Sequence, residues 1–145
     1  MKKMTWKRAS LAGFVTAVLC LVWLFYRRAL FGTEPITIGI QVAAVALMAW
    51  ARVTFGRRSF HATANPTEGG LVTNGPYRYL RHPIYAAALY FLWAGVAAHP
   101  SIANALIATA GLAVRMRAEE TLIVGKYPEY SAYARRTRRV LPFVL

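Results

Sequence analysis

The sequence contains no aspartate, one cysteine and only five glutamates among its 145 residues. A single cysteine excludes an internal disulfide and any cysteine-based metal site. Cys20 lies inside an apolar run, where a thiol serves packing or lipid contact. Carboxylate chemistry falls to Glu34, Glu68, Glu119, Glu120 and Glu129. Zinc-finger, RNA-recognition and helix-turn-helix signatures are also missing. Glu68-Gly69-Gly70 does not supply a G-x-G-x-x-G after a strand, and no βαβ unit can be drawn, which excludes a Rossmann nucleotide site.

Apolar and basic residues are what the chain has in plenty. Hydrophobic residues make up 57% of it, yet the formal charge is +13. Basic charge alone would suit nucleic acid or an anionic membrane surface. Here Lys and Arg alternate with long apolar runs instead of forming one face or tail. That is the pattern of a membrane protein whose loops carry the charge. The bilayer is the expected partner, and nucleic acid is not.

The first apolar run, Ala9 to Tyr26, follows Lys2, Lys3, Lys7 and Arg8. It exceeds a signal-peptide core of about 7–15 residues. Arg27 and Arg28 stand where a small-residue cleavage site would be, so the run reads as a retained span. The second run, Ile36 to Phe55, has the roughly 20 residues that cross ~30 Å of hydrocarbon. A polar stretch from Gly56 to Pro83 cannot lie exposed to lipid, and is expected to cover a cytosolic surface. Two shorter runs follow, Ile84 to Ala98 and Ser101 to Val114. His99-Pro100 between them reads as the tip of a helical hairpin. The second arm should continue to Lys126, making a helix about 40 Å long whose end protrudes from the bilayer.

The expected fold is therefore an all-α membrane protein with about four transmembrane helices in one domain, 1–145. Residues 1–55 supply two spans; 56–145 supply the hairpin, the covering loop and a helical C-terminal tail. With four spans, the N-terminus, the 56–83 loop and the tail share one side, which, with Arg52 near the end of the second run, holds 16 of the 18 Lys and Arg residues. The positive-inside rule places that side in the cytosol.

Hairpin symmetry sets His82 level with Arg117, and Glu119 and Glu120 within a turn below. Arg81, His82 and Tyr85 thus face Arg117, Glu119 and Glu120, an ionisable cluster at the membrane edge fit for a small molecule. The plainer reading makes Arg78, Arg81 and Arg117 positive-inside anchors and Tyr77, Tyr79 and Tyr85 an aromatic belt. Arg115 and Glu119, at i,i+4, would then be an ordinary helix-surface pair.

The stretch Gly75-Pro76-Tyr77-Arg78-Tyr79-Leu80-Arg81-His82-Pro83-Ile84-Tyr85 closely resembles the signature of the isoprenylcysteine carboxyl methyltransferase family. Arg117-Ala118-Glu119-Glu120-Thr121-Leu122 is similar to its second motif. Lys126-Tyr127-Pro128-Glu129-Tyr130, Tyr133 and Leu141-Pro142-Phe143 resemble its tail. The resemblance covers roughly Leu71 to Leu145. It implies an S-adenosyl-L-methionine-dependent methyltransferase acting on a lipid-soluble or lipid-anchored substrate, either a prenylcysteine-like carboxyl or a phospholipid amine. It further implies that Tyr77, Arg81, His82, Pro83, Tyr85, Glu119 and Glu120 bind the cofactor. Arg117, Glu120 and Arg135 become the candidate catalytic residues, the arginines for a substrate carboxylate or phosphate. No metal is implied. Two other classes remain open: a membrane sterol or enone reductase using NADPH, which shares an R-H-P-x-Y-like segment, and a non-enzymatic membrane subunit.

Overall fold

The computed structural model describes residues 2–56, 70–97, 99 and 101–141. Among them it is all-helical: α1 (Lys2–Tyr26), α2 (Pro35–Phe55), α3 (Pro83–Val96), α4 (Ile102–Val124) and α5 (Tyr130–Arg136), with a short 3-10 turn at Gly75–Arg78. The isolated bridge between Leu80 and Arg138 is parallel and joins no strands.

Local chemistry sets the helix ends. At the end of α1 the Ala29 amide reaches back to Leu24 O at 2.9 Å, and Arg28 takes a positive φ of 53°. This is a Schellman-type stop with arginine where glycine is usual. Helix α2 opens with Pro35 in its first turn, where the missing amide costs nothing. The Thr37 hydroxyl both donates to Glu34 O (2.8 Å) and accepts from the Glu34 amide (3.2 Å). Gly56, at φ 69°, closes the helix. Pro83 begins α3 in the same way, with His82 immediately before it.

Helices α1 and α2 are long and apolar enough to cross a membrane. Only 28% and 17% of their apolar windows are buried inside the molecule, whereas the core helix of a soluble protein is mostly buried. Leu19, Val22, Phe25, Val42, Val45 and Val53 point outward from them. Helix α3 is apolar but has 14 residues, about 21 Å at 1.5 Å per residue. Helix α4 passes Val114 and continues through the charged Arg115–Glu120 stretch to Val124, as its composition predicts.

The arms of the expected hairpin take other principal partners: α4 packs mainly along α1, and α3 mainly along α2. Between themselves α3 and α4 share a smaller contact, including the hydrogen bond from Trp93 Nε1 to Thr109 Oγ1 (3.1 Å). The reason lies in small residues. A Cβ on Gly13 would stand 2.4 Å from Gly111 O, so α1 and α4 touch backbone to backbone. A Cβ on Gly95 would stand 2.1 Å from Leu30 O, which seats α3 against the turn between α1 and α2. Gln41 joins the same turn to both helices. Its Nε2 donates to Leu30 O (2.8 Å) and Phe91 O (3.1 Å), and its Oε1 accepts from the Gly32 amide (3.0 Å). The core between these pairs is built from Ala17, Cys20 and Leu24 of α1, Leu89, Leu92 and Val96 of α3, and Ala105, Ala108 and Leu112 of α4.

Candidate functional site

The start of α3, the last turns of α4 and the segment after α5 converge at one end of the bundle. The Gly75–Arg78 turn carries the chain under α2, with the Tyr77 ring 5.3 Å from Phe55. The C-terminal segment then straps onto the residues before α3. The Arg138 amide donates to Tyr79 O (3.0 Å), the Arg81 amide to Arg138 O (2.6 Å) and the His82 amide to Arg139 O (3.1 Å). Tyr133 of α5 fastens the same loop by donating to Tyr77 O at 2.7 Å, and the Tyr90 hydroxyl donates to Val140 O. The amides of Arg81, His82 and Arg138 thus find acceptors across a long stretch of sequence, while those of Tyr77, Tyr79 and Leu80 bond within the turn.

Glu120 is the hub of what this scaffold holds. It is buried, and three cationic or donor side chains meet it. Arg139 approaches in a fork, with Nη2 2.9 Å from Oε2 and Nε 3.1 Å from Oε1. Arg81 Nη1 lies 3.3 Å from Oε1, and His82 Nε2 3.2 Å from the same oxygen. Burial pushes the Glu120 carboxyl up, but the hydrogen bonds from His82 and Arg139 and the charges of His82 and Arg81 outweigh it and hold the group at about 2. The same hydrogen bond raises Arg139 above its ordinary value.

Glu119 forms a second knot beside it. Its Oε1 accepts from the Tyr85 hydroxyl at 2.6 Å and pairs with Arg115 Nε at 3.1 Å, while Oε2 stands 3.8 Å from His82 Nδ1. His82 thus faces one glutamate with each ring nitrogen, and its ring stacks on Tyr85 with centroids 5.6 Å apart. Two buried polar atoms beside the hub, Arg81 Nε and the Tyr130 hydroxyl, have no hydrogen-bond partner among the described residues. Burial, then the charge of Glu120, push the Tyr130 hydroxyl to about 12. The Arg81 guanidinium beside it pulls that value down.

Of the residues singled out in the sequence, Arg81, His82, Tyr85, Glu119 and Glu120 lie together, and buried Pro83 starts α3 between His82 and Tyr85. Tyr77 is buried one layer away, against Phe55. Arg117 and Arg135 are exposed and are not brought into the cluster. Arg117 follows inward-facing Arg115 by two residues, about 200° around the helix. His61 and Glu68 in the expected covering loop, and Pro142 and Phe143 in the tail motif, lie outside the described residues. Sequence reasoning missed Arg139 and Tyr130. Only Tyr130 carried a signal, as part of the tail motif. Arg115, read there as a possible surface pair with Glu119, is 3% exposed. Among the described residues no group of three or more His, Cys or Glu is placed to hold a metal ion.

Comparison with known proteins gives two relatives. Cobalt-zinc-cadmium resistance protein CzcN of Cupriavidus metallidurans is 29% identical over 113 residues, which is 72% of this chain and 46% of that protein. Nickel-cobalt-cadmium resistance protein NccN of Alcaligenes xylosoxydans xylosoxydans is 33% identical over 109 residues, 72% of this chain and 47% of that protein. The chain spans about half the length of these curated relatives. No solved structure matches it. The model of one family matches residues 37–125, from the first turn of α2 through the glutamate pair to the cap of α4. With both motif arms inside that match and meeting at Glu119 and Glu120, the chain belongs to the isoprenylcysteine carboxyl methyltransferase (ICMT) family, a family of membrane methyltransferases.

Proposed function

We propose that the protein transfers a methyl group from S-adenosyl-L-methionine to a lipid-soluble or lipid-anchored acceptor at the cytosolic edge of the bilayer. The observation that carries this reading is the convergence of both family motifs on one buried cluster, with His82 bonded to Glu120 at 3.2 Å.

The donor set fits the cofactor's zwitterionic end. Arg81, Arg139 and His82 match a carboxylate, and Glu119 and Glu120 match an ammonium. The unpartnered Arg81 Nε and Tyr130 hydroxyl are buried groups that a polar ligand would satisfy. When bound, S-adenosyl-L-methionine supplies an electrophilic methyl carbon on a sulfonium that leaves as a neutral thioether. The protein's own task is then to align the acceptor and to exclude water. Tyr85 and the buried Tyr77 wall the region on the α3 side. A carboxylate or thiolate acceptor needs no base at neutral pH. An amine acceptor must lose a proton, and His82 or a glutamate is the nearest group to take it. Exposed Arg117 and Arg135 remain available to the anionic part of an acceptor at the membrane surface.

The membrane frame of the proposal has four spans and both termini in the cytosol. It is supported by the 16 basic residues on one side of the expected path against Arg27 and Arg28 on the other. The resistance named in the two relatives identifies no methyl acceptor. The test is therefore open in substrate: protein in native membranes receives S-adenosyl-L-methionine labelled in the methyl group, and total lipid is extracted. Label in the lipid fraction that disappears with Glu120→Gln supports the proposal. Extracts no richer in label than membranes lacking the protein contradict it.

A further inference from the structure

Arg115 lies one turn before Glu119 on α4, at the depth where the apolar part of the helix ends. Its guanidinium carbon stands 4.7 Å from the ring centroid of Phe14 and 5.7 Å from that of Tyr85. Its Nε meets the Tyr85 hydroxyl at 2.6 Å and Glu119 Oε1 at 3.1 Å, and the same hydroxyl donates to that oxygen at 2.6 Å. The Tyr85 ring then stacks on His82 at an interplanar angle of 24°. Four side chains, Phe14, Arg115, Tyr85 and His82, thus run in series from α1 to the Glu120 hub.

Phe14 sits beside Gly13, whose backbone touches Gly111. This backbone contact between α1 and α4 therefore lies next to Phe14 and one turn before Arg115, and it brings the ring against the guanidinium. Cation–π contact needs that face-on approach, and a planar guanidinium can stack while it donates. A lysine ammonium has no plane to stack. Helix α1 lies before the residues matched by the family model, 37–125.

We infer that Phe14 and Arg115 are positioning residues: their stack fixes the Tyr85 hydroxyl and the Glu119 carboxylate, so that α1 is part of the functional site as well as a membrane anchor. The consequence for cofactor affinity rests on the methyltransferase reading; the stack itself does not.

The full chain in detergent or nanodiscs provides two readouts. In the first, S-adenosylhomocysteine affinity is measured for Phe14→Leu, Phe14→Trp, Arg115→Lys and Arg115→Met, and for Arg115→Met combined with Glu119→Gln. Phe14→Leu and Arg115→Lys should each weaken binding about 5- to 10-fold, the scale of one partly desolvated cation–π contact, while Phe14→Trp stays near the parent. Because Arg115 acts through Glu119, Arg115→Met should add less than about twofold once Glu119 is Gln. Parent-like binding by Phe14→Leu, or an undiminished Arg115→Met effect in the Glu119→Gln background, overturns the inference. The second readout is thermal unfolding without ligand. Phe14→Leu and Arg115→Met should together lower Tm by clearly less than the sum of their separate effects, and additive shifts would overturn the stack. A parent that binds no S-adenosylhomocysteine defeats the methyltransferase reading alone, and the unfolding cycle still decides the stack.

Discussion

His82 and Glu120 are 38 positions apart and meet at 3.2 Å, Nε2 to Oε1, where the start of α3 faces the last turns of α4. The contact ties the two motif arms together, and Arg81 and Arg139 close on the same carboxylate. Glu120→Gln removes the charge that all three share and leaves two arginines facing each other. Breaking a buried ion pair from one side costs about 3–5 kcal/mol. Arg139 is 35% exposed, so a loss at or just below the bottom of that range is expected. Denaturant unfolding in detergent should show a loss of about 2–3 kcal/mol, and a loss below ~0.5 would deny Glu120 its central place.

Acid should weaken the fold through the same residue. Burial opposes ionisation of Glu120, but His82, Arg139 and Arg81 hold it at about 2 against an ordinary 4.5. A depressed carboxyl stabilises fully above its unfolded value, and that contribution is lost as pH falls from about 4.5 towards 2. A gap of this size is worth on the order of 3 kcal/mol. Stability measured from pH 6 down to pH 3 should fall more steeply for the parent than for Glu120→Gln. Parallel curves would mean that the carboxylate is not held this way.

The α1–α4 contact predicts a steric effect. Gly13→Ala places a Cβ 2.4 Å from Gly111 O, against backbone that cannot rotate away. The helices must separate, at about 1–3 kcal/mol. Gly39→Ala, with nothing within 4 Å, should be neutral or stabilising by up to about 1 kcal/mol. A thermal series in which Gly13→Ala matches Gly39→Ala would contradict the close crossing.

Much of this was readable in the sequence, and what was not has a definite cause. The apolar runs gave α2 within one residue and the C-terminal end of α1, where Pro35, Gly56 and Arg27-Arg28 mark the ends by local chemistry. Helix α1 itself begins at Lys2, seven residues before its apolar run, because the basic start is also helical. Counting from the hairpin tip gave the depth at which His82 meets Glu119 and Glu120. Depth does not give azimuth, however: the same count set Arg117 level with His82, yet the helix turns it to the surface and turns Arg115 inward. The pairing of α4 with α1 depends on Gly13 and Gly111, 98 residues apart, and no local periodicity encodes such a contact. Arg139 was hidden for a similar reason. It stands in an arginine-rich run that reads as positive-inside charge, and only the backbone bridge from Arg138 to Leu80 carries it to Glu120.

Topology has its own test. Reporter fusions after Leu145 and within the Arg28–Pro35 loop should report opposite sides of the membrane, with Leu145 cytosolic. Cytosolic signals from both would remove one of the four proposed spans.

The cluster around His82 and Glu120 is proposed to bind S-adenosyl-L-methionine. The most direct measurement is the binding isotherm of S-adenosylhomocysteine to the purified parent, His82→Ala and His61→Ala. The parent should bind, with a stabilisation of about 2.7 kcal/mol at 100 times the dissociation constant. His82→Ala should bind about 10- to 150-fold more weakly, the loss of one charge-assisted hydrogen bond of about 1.5–3 kcal/mol. His61→Ala, changed in the loop before the motif, should match the parent. A parent that ignores S-adenosylhomocysteine but responds to reduced nicotinamide dinucleotide would contradict the account, as would an isotherm abolished by His61→Ala and untouched by His82→Ala.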